Sequence, residues 1–118
     1  MAIAKENTTA DYQEAFQLCP KFEKTFSILG KKWNGLIIDV LLENGAQRFK
    51  NLVHSVPKCS DRVLVERLKE LEQAGIVARI TSDDSALIEY RLTTKGEELA
   101  PVMAAVHDWS NDWYAAEG

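Results

Sequence analysis

With 118 residues, 46% of them apolar and 27% charged, the chain is long enough for one hydrophobic core and too short for two. No apolar run approaches the ~18 residues that cross a membrane. Residues 1 to 11 lack the basic-then-apolar layout of a secretory leader, so a cytoplasmic protein with no membrane partner is expected. The formal charge of −4 argues against a nucleic-acid binder only if it is spread evenly, and it is not. Residues 21–79 hold 11 Lys and Arg against 7 Asp and Glu, a net of +4. Residues 1–20 hold 1 against 3, a net of −2, and residues 80–118 hold 2 against 8, a net of −6. Screening confines each charge to a Debye length of ~8–10 Å. An acidic C-terminal segment can therefore coexist with a basic face that meets phosphate.

In chain order, residues 1–10 read as a tail and Asp11–Leu18 as a short helix. Pro20 suits the first position of a helix with Cys19 at its N-cap. Phe22, Phe26 and Leu29 share one face of that helix, and Gly30 ends it. Trp33, Leu36, Ile37, Val40 and Leu41 follow the i, i+3, i+4, i+7, i+8 spacing of a buried stripe on the next helix. Asn44-Gly45 stops it. Gln47–Phe49 is a short strand or the entry to the next helix, where Phe49, Leu52, Val53 and Val56 share a face until Pro57.

Ser60 is an N-cap residue for a helix running to about Ala74, with Leu64, Leu68 and Leu71 as its inward stripe and Gly75 after its end. Ile76–Ile80 and Ala86–Leu92 are strands around the turn cluster Ser82-Asp83-Asp84-Ser85. Thr94-Lys95-Gly96-Glu97 fits a capping box with Thr94 as the cap. The final helix carries Val102, Val106, Trp109 and Trp113 at i, i+4, i+7 and i+11. This stripe is core or dimer interface, and two Trp on a terminal helix favour the interface, together with Phe16.

The order helix, helix, helix, tight turn, helix, hairpin, helix is that of a mainly helical winged helix-turn-helix. Residues 1–18 form a tail and short helix, 19–95 the DNA-binding part and 96–118 a dimerisation helix, all in one domain. Arg48–Gly75, two helices joined by Pro57-Lys58-Cys59, has the length and punctuation of a helix-turn-helix. A helix that enters the major groove needs a polar outer face and an inner face packed on the body. The leucine stripe turns Asp61, Arg62, Val65, Glu66 and Lys69 outward, beside the cap Ser60. Arg62 suits guanine or phosphate, and Val65 suits a thymine methyl. Glu66 suits cytosine N4, or else repels phosphate at a wrong sequence. Arg48, Lys50 and Lys58 are candidate phosphate contacts. In the wing, Arg79, Thr81 and Ser82 are weaker ones, since Asp83-Asp84 make its tip acidic. Residue by residue such a face is also what a solvated helix shows, and only the ordered whole points to double-stranded DNA.

At these residues the chain resembles the HxlR-type regulators, a branch of the MarR-like winged-helix proteins. The resemblance runs from Cys19 to Trp113. It includes Cys19-Pro20, Gly30 with Lys32-Trp33, Leu36–Leu42 and Arg48-Phe49 with Leu52. It continues through Ser60, Leu64, Arg67-Leu68, Leu71-Glu72, Gly75-Ile76-Val77 and Arg79. It closes with Glu89-Tyr90, Leu92-Thr93, Lys95-Gly96, Leu99 and Trp109. It implies a homodimer joined through the terminal helices, bound to a pseudo-palindromic operator and repressing or activating nearby genes, with a repressor expected here. Family members often carry Thr-Gln or similar polar residues where this chain has Val65-Glu66, so no operator sequence carries over.

Several members of that family sense thiol stress through a cysteine in the Cys-Pro motif, which implies a sensing role for Cys19. The residues themselves allow two readings. The positive end of a helix favours a thiolate at the N-cap, with Lys21 nearby, and such a cysteine is open to oxidants and electrophiles. Most unpaired cysteines are instead small packing residues. Cys59 is a turn residue or a partner thiol across the dimer. The two cysteines and the two histidines, His54 and His107, lack metal-site spacing, so no metal or other cofactor is expected and neither histidine shows a partner. A phosphate loop, nucleophile elbow and HExxH motif are all missing, so an enzyme is not expected. The competing reading is a winged-helix protein-interaction module without DNA.

Overall fold

The computed structural model describes residues 17–82 and 85–115. Phe16, the greater part of the expected Asp11–Leu18 helix and the Asp83-Asp84 tip lie outside the described residues. Helix α1 spans Pro20–Leu29, with Pro in its first turn and Cys19 extended at its N-cap. Gly30 closes it by donating its N–H to the Phe26 carbonyl at 2.9 Å. Helix α2 spans Asn34–Asn44 and stops at Gly45, whose φ of +76° is costly for any other residue.

The α2 stripe differs from the expected one. Trp33 is the N-cap, held at φ +81° in the left-handed region, a strained conformation for a bulky residue. Asn34, Ile37, Ile38 and Leu41 are buried, while Leu36, expected inside, is 54% exposed. Asn34 explains the shift. Its Nδ2 donates to the Ile28 carbonyl at 2.9 Å, which ties the loop to the end of α1. A polar anchor thus occupies the position that apolar counting passes over, and the inward face is rotated by one residue, ~100° on a helix.

Strand β1 (Gln47–Arg48) leads directly into α3 (Phe49–Ser55), and α4 spans Asp61–Gln73. Gly75 takes a φ of +77° and turns the chain into β2 (Val77–Ser82) and β3 (Ser85–Leu92). The sheet is antiparallel in the order β1-β3-β2, with Val77 opposite Leu92, Arg79 opposite Tyr90 and Arg48 opposite Glu89. A register shift falls between Thr81 and Ser82.

Beyond the sheet, α5 (Thr94–Glu97) precedes α6 (Ala100–Trp113). The cap is Thr93, not Thr94. Its Oγ1 accepts from the Gly96 N–H at 3.1 Å and donates to the Gly75 carbonyl at 2.5 Å. The capping-box pattern is one residue out because this threonine also has to reach the end of α4. Gly96 sits so close to β2 that a Cβ there would meet the Ile76 carbonyl oxygen.

The core joins Ile37, Ile38 and Leu41 of α2, Leu52 of α3, and Leu64, Leu68 and Leu71 of α4 to Val56, Cys59, Ile76, Val77 and Leu92. At ~25 cal/mol per Å² of apolar surface, such burial is the main term holding the body together. Helices α1 and α6 contain no buried residue.

Candidate nucleic-acid interface

Helix α4 is the centre of the candidate interface. The Ser60 side chain accepts from the Val63 N–H at 3.2 Å, which satisfies one orphan donor at the helix start. Asp61 in the first turn suits the positive end of the helix. Leu64, Leu68 and Leu71 are at most 1% exposed. The opposite face presents Asp61, Arg62, Val65, Glu66 and Lys69 to solvent. A helix whose one side is fixed in the core is a rigid support for groups on the other side.

Two further contacts set the height of α4 on the body. Arg67 Nε donates to the Lys32 carbonyl at 3.0 Å, and Glu70 accepts from Lys31 Nζ at 2.8 Å. Arg67 also lies 3.5 Å from Glu70. Periodicity alone gives no sign of these ties, because they join residues 35 and 39 positions apart.

The remaining candidates take different places. Lys58 and Ser60 are exposed around the turn before α4, and Lys50 is exposed in the first turn of α3. Val65 and Lys69 of α4 come together with Arg79 of β2, lining a groove of about 340 Å³ with Leu68, Glu72 and Tyr90. Thr81 follows Arg79 on the same face of β2, and both Thr81 and Ser82 are exposed. Arg48 pairs with Glu89, next to Tyr90 on β3, so the register puts Arg48 on the opposite face of the sheet from Arg79.

The two cysteines occupy opposite environments. Cys19 is exposed and its side chain makes no cap hydrogen bond. Cys59 is 3% exposed in the turn, within the core. Burial pushes its thiol above the ordinary range, partly offset by Arg67. The α6 stripe of Val102, Val106, Trp109 and Trp113 is 43, 52, 55 and 72% exposed. On α1, Phe22 and Phe26 are exposed and pack on each other with ring centroids 4.9 Å apart. Both helices thus leave large apolar side chains in solvent.

A family model described as "HxlR-like helix-turn-helix" matches residues 28–118. The chain belongs to the HxlR-like helix-turn-helix family. YvaP of Bacillus subtilis (strain 168), an uncharacterized HTH-type transcriptional regulator, is 46% identical over 98 residues, which cover 82% of this chain and 90% of YvaP. The HTH-type transcriptional regulator YodB of the same organism is 44% identical over 97 residues, covering 81% of this chain and 86% of YodB. Among solved structures, the reduced form of the transcriptional regulator YodB from B. subtilis is similar at a TM-score of 0.74 and 42% identity, over 86% of this chain and all of that one. The oxidized form of the redox regulator HypR is similar at a TM-score of 0.74 and 30% identity, over 83% of this chain and all of that one. These neighbours share the winged-helix fold expected from the sequence, and the HxlR-like relatives are named as regulators rather than enzymes. Among the described residues, no helix is long and apolar enough to cross a membrane.

Proposed function

We propose that this HxlR-like chain binds double-stranded DNA as a homodimer in the cytoplasm, reads a pseudo-palindromic operator with α4, and represses transcription until Cys19 is oxidised or alkylated. The observation that carries this reading is the division of α4 into a buried leucine side and an exposed side that carries Asp61, Arg62, Val65, Glu66 and Lys69. Arg62, Val65, Glu66 and Lys69 stand on a support that the core and the Arg67–Lys32 contact hold in place. Base edges are read by such side chains, while Arg48, Lys50, Lys58 and Arg79 act on phosphate, with Thr81 and Ser82 beside it. The exposed stripe of α6 forms the dimer contact, and the two α4 helices then stand about one DNA turn apart, ~34 Å. The protein acts by binding and carries no catalytic centre.

The sensor role of Cys19 is supported by its exposure at the start of α1, beside the exposed Phe22 and Phe26. YodB is known in quinone-bound and diamide-treated forms and HypR in reduced and oxidized forms. A group attached to Cys19 alters how α1 packs in the dimer and so the spacing of the two α4 helices.

The test is a titration against the promoter DNA flanking its own gene, at two salt concentrations, with and without a thiol oxidant. Affinity should fall steeply with salt, by ~0.9 log units per phosphate contact for each log unit of salt. Oxidant should release the DNA from the native protein and not from Cys19→Ser. Arg62→Ala should weaken specific binding by ~1–3 kcal/mol if it reads a base. A dimer with no salt-dependent affinity for DNA is a protein-interaction module instead. A Cys19→Ser dimer that still loses DNA to oxidant ends the sensor role.

A further inference from the structure

His107 has a partner that sequence spacing does not reveal. Its Nε2 lies 2.9 and 3.0 Å from the two carboxylate oxygens of Asp39, across 68 positions of sequence. Glu43 stands one turn further along α2, and the donor atoms of Asp39, Glu43 and His107 all lie within 4.8 Å of one another. The set therefore holds two carboxylates from α2 and one imidazole from α6.

Two observations make this more than an ion pair. Asp39 and Glu43 carry like charge at i and i+4, an arrangement that destabilises a helix, and one imidazolium offsets only half of that charge. Among the described residues, no Lys or Arg bridges to either carboxylate, the Lys and Arg ion pairs being those of Lys31 and Arg67 with Glu70. Further, the donor types match one class of cation. Imidazole with carboxylate suits borderline divalent transition metals, whereas Ca²⁺ and Mg²⁺ take oxygen alone.

We propose that Asp39, Glu43 and His107 form a binding site for a divalent transition metal, Zn²⁺ foremost, that joins α6 to α2. Zn²⁺ bonds to nitrogen and carboxylate oxygen are ~2.0–2.2 Å, which places tetrahedral donors ~3.4 Å apart. The His107–Asp39 contact opens by about half an ångström to admit the ion, and the exposed Glu43 side chain swings inward as the third ligand. Three protein ligands leave one position for water. A metal here fixes the angle between α6 and the body that carries α4. The site itself is independent of the DNA-binding reading above, and only this regulatory consequence rests on it.

The test is calorimetric titration of Zn²⁺ into the full chain carrying Cys19→Ser, which removes the exposed thiol as a competing ligand. One Zn²⁺ per chain is expected, with a rise in Tm as the folded state binds metal. His107→Gln and Glu43→Gln should each lower affinity at least tenfold, and Co²⁺ should bind without a thiolate charge-transfer band. Absence of heat and Tm shift, affinity unchanged from the parent protein in either variant, or a thiolate band from Cys59 would each overturn the site. In the same protein, DNA affinity with and without Zn²⁺ separates the two readings. Metal bound through these residues with no DNA affinity at all upholds the site and ends the DNA reading. DNA binding without metal uptake does the reverse.

Discussion

Helices α4 and α6 carry the same kind of sequence signal and meet opposite fates. Each has large apolar side chains at helical spacing on one face. On α4 that face is sealed, with Leu64, Leu68 and Leu71 at most 1% exposed. On α6 the stripe from Val102 to Trp113 is left largely in solvent, and only Met103 packs partly against the core. Helical periodicity shows which side chains seek apolar cover. It does not show whether the cover comes from the same chain. The chain seals the leucine side of α4 within its own body and leaves the apolar stripe of α6 in solvent.

The sharpest way to break this contrast is to cut into the sealed side. Leu68→Ala should cost about 2–5 kcal/mol through lost burial and a cavity, lowering the urea midpoint in a single cooperative transition. An unchanged midpoint would mean that α4 is not held as described. Gly96→Ala probes the same body from the β2 side, where the new Cβ meets the Ile76 carbonyl. A loss of about 1–3 kcal/mol is expected, measured by thermal unfolding, and full stability would show that α5 can move away freely.

On the open side, Trp109→Ala should leave the unfolding of the body nearly unchanged at low protein concentration. It should weaken self-association by about 1–2 kcal/mol, read by sedimentation equilibrium as a roughly 5–30-fold rise in the dimer dissociation constant. Destabilisation of the isolated chain on the scale of Leu68→Ala would instead place Trp109 in a core.

The smallest effect separates the two cysteines. Burial raises the Cys59 thiol above its ordinary value near 9.0, so the unfolded chain ionises first as pH rises. Its contribution is complete below that value and is lost on passing upward through the folded value. Urea midpoints taken from pH 7 to 10 should fall less steeply for Cys59→Ala than for the native chain. In the native state Cys19 should react readily with a thiol label, while Cys59 reacts on the timescale of opening. Equal labelling of both would contradict the burial of Cys59.

Much of the fold was legible because its signals are local. Ser60 as a cap, Gly45 and Gly75 as helix stops, the two strands around a polar turn and the leucine stripe of α4 each depend on a few neighbouring residues. The errors fell where a distant partner decided the matter. Leu36 faces solvent because Asn34, bonded to Ile28, sets the rotation of α2. Thr93 rather than Thr94 caps α5 because it also reaches Gly75. Of the candidate site, the outward face of α4 followed from its own periodicity. The ties from Arg67 to Lys32 and from His107 to Asp39 did not, since nothing in local spacing links such remote positions.

The order of elements, their punctuation and the outward face of α4 are written in the chain, because hydrogen bonding and apolar spacing within one helix or turn are short-range. The height of α4 on the body, the split between a sealed and an exposed cysteine, and the pairing of His107 with Asp39 near Glu43 arise from folding in three dimensions. Those features depend on how separate elements pack, and packing joins residues that the chain keeps far apart.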